Sequence, residues 1–259
     1  MLESQKRSMS ALVTRSLDRA ENTWKDVGSQ LLEKRAHKSF DRLDGFHPTA
    51  IPGYPVIEEG KPAVGEFVAV VVDMRKSTEH LLCDISPKFA DVTLFKRVYY
   101  ETSALLPAVA SAIESHNGSV VEYLGDGILS LFRVDTDDKS KTIYAAHNAA
   151  KDCLDALGIV NPILEQRYRL PALDIGIGMA LSKAIVTLVG LDNHQHPKAI
   201  GECVWRATKL SSGTNQIFID AALEAAWPRV KGGRLQFRRK LFHNNFFGFL
   251  IDATIDKQQ

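Results

Sequence analysis

Ser119–Val134 reads Ser-Val-Val-Glu-Tyr-Leu-Gly-Asp-Gly-Ile-Leu-Ser-Leu-Phe-Arg-Val. Two apolar runs, Ser119–Leu124 and Ile128–Val134, flank Gly125-Asp126-Gly127. An Asp-Gly between apolar runs is a strong hairpin signal, so the stretch predicts two strands with a carboxylate at their turn. Upstream, Phe67–Val72 is a continuous apolar run, the pattern of a buried strand, and it ends in Asp73. Between the two stretches, Val92, Phe95, Tyr99, Thr102, Leu106, Val109 and Ile113 recur at helical spacing. Ser86-Pro87 supplies a helix start and Asn117-Gly118 a stop. Downstream, Thr142–Leu157 is helical and rich in Ala. Leu173–Ala180 and Ala184–Val189 predict a second hairpin, Cys203–Leu210 a helix and Gln216–Ile219 a short strand. Leu235–Lys240 and Phe246–Ile251 predict a closing hairpin. The core order is strand, helix, strand, strand, helix, strand. That is the split βαβ, ferredoxin-like arrangement of the α+β class, with a mostly antiparallel sheet and helices on one face.

Composition bounds the function. The chain has 259 residues, 32 Lys+Arg and 31 Asp+Glu, with a net charge of +1. At 45% hydrophobic and 24% charged residues it reads as an ordinary soluble globular protein. The charge balance gives no support for attraction to nucleic acid or an anionic membrane. Cys83, Cys153 and Cys203 show no CxxC or CxxH spacing, so neither a zinc site nor a disulfide framework is expected. Reduced thiols and a cytoplasmic location are the default. No apolar run reaches the ~18 residues of a membrane span, and no secretory signal is read.

Residues 1–45 are expected to form a helical extension, with helix over 8–43. Val13, Leu17, Ala20, Trp24, Val27 and Leu31 repeat every ~3.5 residues, a coiled-coil seam. Arg35 and Lys34 interrupt the seam and Gly28 weakens it, which favours a helix lying on its own domain. Residues 46–65 carry Pro48, Pro52, Pro55 and Pro62 and read as a linker, or a loop wrapped on the domain. The main domain is expected over 66–255.

Asp73 ends the first strand and Asp126 caps the central hairpin. In a split βαβ sheet these elements are neighbours. Two carboxylates from adjacent strand ends suit Mg²⁺ or Mn²⁺, hard cations that phosphate oxygens complete. Two such ions lower a hydroxyl pKa and clamp a triphosphate. The backbone amides of Met74, Arg75, Lys76, Ser77 and Thr78 open a short helix, a ready phosphate site. Taken singly, an Asp after a strand is commonly a helix cap and an Asp in a hairpin commonly turn chemistry. The pair, in this order, is far more specific.

On these residues the sequence resembles the class III nucleotidyl cyclase catalytic domain. Val70–Thr78 looks like the family's first metal-aspartate segment and Gly125–Phe132 like its second. Gly176-Ile177-Gly178 through Lys183–Gly190 matches the following hairpin. Ile200–Leu210 matches the helix that bears the transition-state residues. The likeness spans residues 66 to about 215. It implies a homodimer with active sites at the interface and two metal ions on Asp73 and Asp126, assisted by the Met74 carbonyl. The ribose 3′-hydroxyl attacks the α-phosphate, giving a 3′,5′-cyclic nucleotide and pyrophosphate.

The departures from the purine cyclases define the substrate expectation. Where those carry an Asn and, four residues later, an Arg, this chain has Trp205 and Lys209. Lys209 supplies charge without a bidentate fork. The usual base-selecting Lys falls near Glu122 or Tyr123, the base-selecting Asp near Lys198, and a family Gly is replaced by Lys76. Asp73–Thr78 and the Pro-Gly-Tyr-Pro of 52–55 resemble the pyrimidine cyclases of bacterial anti-phage systems. The resemblance implies UTP, or another nucleoside triphosphate, as substrate. It also implies cyclic UMP as a second messenger for a separate effector that forms no stable complex with the enzyme. Tyr54 and Trp205 are the candidates to stack on the base; Arg75 and Gly125 complete the substrate-binding set. The competing readings are a non-catalytic nucleotide-sensing module, an adenylate or guanylate cyclase with an unusual base pocket and, ranked last for want of a Gly-Gly-Asp-Glu-Phe-like signature, a different metal-dependent palm enzyme.

Remaining features read as structural. Gly176-Ile177-Gly178 is followed by Leu181 and a strand, which excludes a dinucleotide fingerprint. His194 and His196 flank Gln195 in a polar loop without other metal ligands. Lys231, Arg234, Arg238, Arg239 and Lys240 read as a solvated hairpin face, with one of them a candidate to reach the triphosphate, and Arg97 with Tyr99-Tyr100 as helix packing.

Overall fold

The structure, a computed structural model, describes residues 1–27, 46–82, 93–135, 137–191, 194–229, 235–242 and 246–253. Helix α1 spans Glu3–Val27, and short strands β1 (Phe46–Pro48) and β2 (Val56–Glu58) follow. Strand β3 (Ala63–Met74) leads into α2 (Ser77–Leu82) and α3 (Leu94–Glu114), then β4 (Ser119–Tyr123) and β5 (Gly127–Arg133). Next come α4 (Lys139–Tyr168), β6 (Ile175–Leu191), β7 (His194–Gly201) and α5 (Glu202–Leu210). The chain closes with β8 (Gln216–Ile219), α6 (Ala221–Ala226), β9 (Leu235–Leu241) and β10 (Phe247–Ala253).

β3 is the centre of the architecture. Residues 67–72 are buried, because successive side chains point to opposite faces and both faces are covered. Val68, Val70, Val72 and Met74 pack in one core with α1, α3 and α4. Phe67, Ala69 and Val71 pack in a second core with Cys203 and Ala207 of α5 and with Ile51 and Ile57. The strand order is β4-β5-β3-β6-β8-β10-β9, with β7 paired to β6 off this path. The β4–β6 part of that order, β4-β5-β3-β6, is the split βαβ sheet, antiparallel throughout; β6 and β8 are parallel. Helices flank both faces, which corrects the expectation of one.

The hairpin expected within 173–189 is instead one strand. Residues 175–186 of β6 pair without interruption along 74–63 of β3. β6 is buried residue by residue to Leu181 and then alternates, so Ser182-Lys183 marks a change of covering, not a turn. Its hairpin partner is β7, so His194 and His196 lie on a strand, opposite Leu191 and Val189.

The seam residues Val13, Leu17 and Ala20 are buried in the first core beside Met9, with Trp24 packed against it. The N-terminal helix therefore lies on its own domain. Residues 46–58 form a strap: β1 pairs β2 and Ile51 and Ile57 are buried. Asn117, at φ +62°, ends α3 as expected, with the Gly118 amide donating to the Ile113 carbonyl at 3.1 Å. The expected helix start at Ser86-Pro87, and Cys83, lie outside the described residues. Cys153 and Cys203 are buried free thiols. Among the described residues, no helix is long and apolar enough to cross a membrane.

Candidate active site

Asp73 is paired with Gly127 on β5 and with Gly176 on β6. Cross-strand partners share a face, so neither neighbouring strand places a side chain beside this carboxylate. The two glycines serve different contacts. A Cβ on Gly127 would stand 2.7 Å from the Val72 carbonyl oxygen and 3.3 Å from Asp73 Oδ1. A Cβ on Gly176 would stand 1.9 Å from the Ser211 carbonyl oxygen and 2.4 Å from that of Gly213. One on Gly178 would stand 1.9 Å from the Ala207 carbonyl oxygen. Gly176-Ile177-Gly178 thus lets the C-terminal half of α5 and its following turn lie directly on the sheet, level with Asp73.

Asp126 is brought to Asp73 by the turn. Gly125, at φ +82°, takes a conformation that favours glycine, and the Met74 amide donates to the Asp126 carbonyl at 3.4 Å. Burial, then the Asp126 charge, raise the Asp73 pKa above the ordinary carboxylate value. The Arg75 guanidinium, donating to Asp73 Oδ2 at 3.1 Å, opposes both. Crowded carboxylates of this kind are relieved by a cation, so the donor set of Asp73, Asp126 and the Met74 carbonyl fits hard divalent ions. Among the described residues no cluster of three His, Cys, Asp or Glu forms a further metal site.

Ser77, Thr78, Gly125 and Asp126 line one groove of about 390 Å³ with Tyr99 and Thr102 of α3. Lys76 stands at φ +59°, a left-handed conformation strained by about 1 kcal/mol for a residue with a Cβ, and pairs with Glu79 at 3.6 Å. Two of the expected phosphate-binding amides are otherwise engaged: that of Met74 on Asp126, and that of Arg75 on the Asp174 carbonyl at 2.8 Å. The amides of Lys76, Ser77 and Thr78 remain as candidates.

Three sequence candidates do not line this groove. Trp205 and Lys209 are exposed on α5; Trp205 is 55% exposed, its ring edge-on to Phe246 at 5.6 Å, so it is not a core residue. Tyr54 belongs to the strap. Its hydroxyl donates to the Val64 carbonyl at 2.9 Å, and the Arg133 guanidinium lies 5.1 Å from its ring centre. At ~3.3 Å per residue, Val64 is roughly 30 Å along β3 from Asp73. The structure therefore does not bring Tyr54 to Asp73 within one chain; its partners are those of a packing residue.

Sequence reasoning missed one ion pair. Lys198 of β7 and Glu122 of β4 bond to each other. Both line a cavity of about 430 Å³ under the strap, with Thr49, Ile51 and His196. Their separation of 76 residues carries no local signal; only the β6–β7 hairpin brings them together. Of the basic hairpin residues, Arg238 bonds Asp252, and Arg239 and Lys240 lie over Phe247 and Phe218 at 4.1 and 4.8 Å.

No protein-family model matches the chain. It is 26% identical over 151 residues to the terminal-differentiation-specific adenylate cyclase of Dictyostelium discoideum, over 58% of this chain and 6% of that protein. It is 23% identical over 195 residues to an adenylate cyclase of Anabaena cylindrica, over 72% of this chain and 36% of that one. The chain thus spans a small part of the length of either relative. Among solved structures, the adenylyl cyclase CyaB from P. aeruginosa superposes with a TM-score of 0.61 at 15% identity, over 77% of this chain and all of that one. The guanylyl cyclase Cya2 superposes with a TM-score of 0.58 at 22% identity, over 76% and 96%. The chain has the fold of class III nucleotidyl cyclase catalytic domains, and both of these sequence relatives are adenylate cyclases.

Proposed function

We propose that this chain is a homodimeric pyrimidine cyclase that converts UTP to 3′,5′-cyclic UMP and pyrophosphate. The observation that carries the reading is Asp73 in its glycine-flanked slot, its carboxyl raised by burial and by Asp126. Asp73, Asp126 and the Met74 carbonyl hold two Mg²⁺ or Mn²⁺ ions. Bound there, the cations supply Lewis-acid polarisation of the ribose 3′-hydroxyl and the α-phosphate. In the reaction the 3′ oxygen bonds to the α-phosphorus, the bond from that phosphorus to the α–β bridging oxygen breaks to release pyrophosphate, and the hydroxyl proton passes to solvent water. Lys76, Ser77 and Thr78 orient the departing pyrophosphate, and Lys209 from a second copy offsets the developing negative charge. The exposed Trp205 indole stacks on the base.

Glu122 and Lys198 select the base. A carboxylate beside an ammonium offers an acceptor next to a donor, matching an imide N–H flanked by a carbonyl. Uracil presents that edge. Guanine presents the same N–H and carbonyl, which makes a guanylate cyclase with an unusual pocket the second reading. The choice of uracil, and a role in antiviral signalling through a separate cytoplasmic effector, rest on the resemblance of residues 52–55 and 73–78 to anti-phage cyclases.

The test is incubation with ATP, GTP, CTP and UTP plus Mn²⁺, with products resolved by mass. A cyclic UMP peak is expected, lost in Asp73→Ala and Asp126→Ala while the dimer and melting temperature persist. Normal turnover in either variant overturns the two-ion assignment. A dominant cyclic GMP peak selects the second reading, and nucleotide binding without turnover selects a sensing module.

A further inference from the structure

Helix α2 has six residues, too few to hold itself in water, yet its first turn carries Ser77 and Thr78 into the groove beside Asp126. Its anchor is a buried relay. His80 Nδ1 lies 3.0 Å from Glu101 Oε2 on α3, and Arg97 Nε donates to Glu101 Oε1 at 2.8 Å. The Glu101 side chain is wholly buried, that of Arg97 5% exposed and that of His80 14% exposed. Glu101 therefore meets a fixed donor on each oxygen, and accepting from the imidazole fixes a proton on Nδ1.

A buried charged group is rarely the most stabilising occupant of a core. An apolar side chain of the same volume commonly serves stability as well or better. Arg97 and Glu101 stand one turn apart on the face of α3 that also carries the buried Ala104, Leu105 and Ala108, where apolar residues would pack. What the relay provides instead is direction: a hydrogen bond of fixed length from α3 to the middle of α2. His80 is not among the groove-lining residues, so it acts only through α2.

We propose that the Arg97–Glu101–His80 relay is a positioning device for triphosphate recognition, holding α2 so that Ser77 and Thr78 meet the phosphates of the nucleotide. The proposal rests on the cyclase reading above. It makes His80 and Glu101 positioning residues whose loss weakens nucleotide binding and spares the chemical step.

The experiment uses the full chain with His80→Ala and His80→Asn, the latter keeping a side-chain N–H donor. Three quantities are read: hydrogen exchange of the peptide spanning 75–82, the affinity for a fluorescent nucleoside triphosphate, and kcat and KM with Mn²⁺. In His80→Ala, exchange of 75–82 accelerates, Kd and KM rise about tenfold, as for a lost hydrogen bond to a charged group, and kcat stays within threefold. His80→Asn recovers most of the affinity. Unchanged exchange overturns the proposal, as does faster exchange with unchanged Kd and KM. A fall in kcat at constant KM and Kd places the effect on the chemical step and overturns it too. If the wild-type chain neither binds nor cyclises any triphosphate, the cyclase reading falls and the recognition role with it. Faster exchange in His80→Ala would then still identify the relay as the anchor of α2, so the two failures are distinguishable.

Discussion

Gly125 and Gly127 flank Asp126 for different physical reasons, and one substitution at each separates them. Gly125 has φ +82° and nothing within 4 Å of where a Cβ would stand. Alanine there meets backbone strain alone, about 1 kcal/mol. Gly127 is not in the left-handed region, but its Cβ would stand 2.7 Å from the Val72 carbonyl oxygen, where ordinary contact begins at 3.4 Å. The shortfall is about 0.7 Å, and β3 cannot retreat because β5 and β6 pair with it on both edges. Such overpacking costs ~1–3 kcal/mol. The same methyl stands 3.3 Å from Asp73 Oδ1, which the carboxylate relieves by a few tenths of an ångström. The 0.7 Å must therefore come from β5, which carries the Asp126 turn with it, and a misplacement approaching 1 Å at reacting groups costs about 10²-fold in rate. Gly127→Ala is therefore expected to melt a few degrees lower, bind Mn²⁺ more weakly and cyclise about 10²-fold more slowly. Gly125→Ala stays within about tenfold of wild type. The assay is a Mn²⁺ titration read by the free-ion EPR signal, beside product formation and a thermal melt. Equal Mn²⁺ affinity and turnover in the two variants would refute the account of the slot.

Three further outcomes are expected. Burial, with a smaller effect of Lys151, lowers the His147 pKa from 6.5 to about 4, so the folded chain keeps it neutral. The unfolded chain takes up a proton first as pH falls. Stability is thus intact above 6.5 and declines toward pH 4 by up to about 1.4 kcal/mol per unit; urea midpoints at pH 7 and 5 should converge in His147→Phe. Gly178→Ala places a methyl 1.9 Å from the Ala207 carbonyl oxygen and should lift α5, losing ~3 kcal/mol or more of stability in denaturant melts. Trp205→Ala, at a 55% exposed site, should leave the melting temperature within about 3 °C while changing base preference; an unchanged preference removes it from the base site.

The fold was legible where periodicity and punctuation coincide. The doubly buried β3, the Gly125–Gly127 turn, and the α3 stop at Asn117-Gly118 each carry a local signature with one physical reading. β6 was misread because Ser182-Lys183 interrupts an apolar run. The Ser182 hydroxyl in fact accepts from the Cys203 amide at 2.8 Å, serving the start of α5 from within a strand. A contact across 21 residues has no local trace. The same holds for the site. Asp73 and Asp126 were legible because strand order alone makes them neighbours. The glycine slot and the Glu122–Lys198 pair depend on register, which the sequence specifies only through the finished sheet. Glu101 did leave a trace: Arg and Glu four apart on the apolar face of α3 are out of place unless paired.

The double pairing of β3 also orders events during synthesis. β3 receives its β5 neighbour about 60 residues after it leaves the ribosome and its β6 neighbour about 100 residues after, a wait of roughly 5–20 s at ordinary translation speeds. Throughout that interval an apolar strand with an unpaired edge is exposed, a template for wrong partners. A holdase chaperone on the nascent chain, or slow codons placed after β6, would therefore raise the yield of folded protein. Because Gly176 arrives last, Asp73 cannot acquire its slot until about 100 residues after its own synthesis.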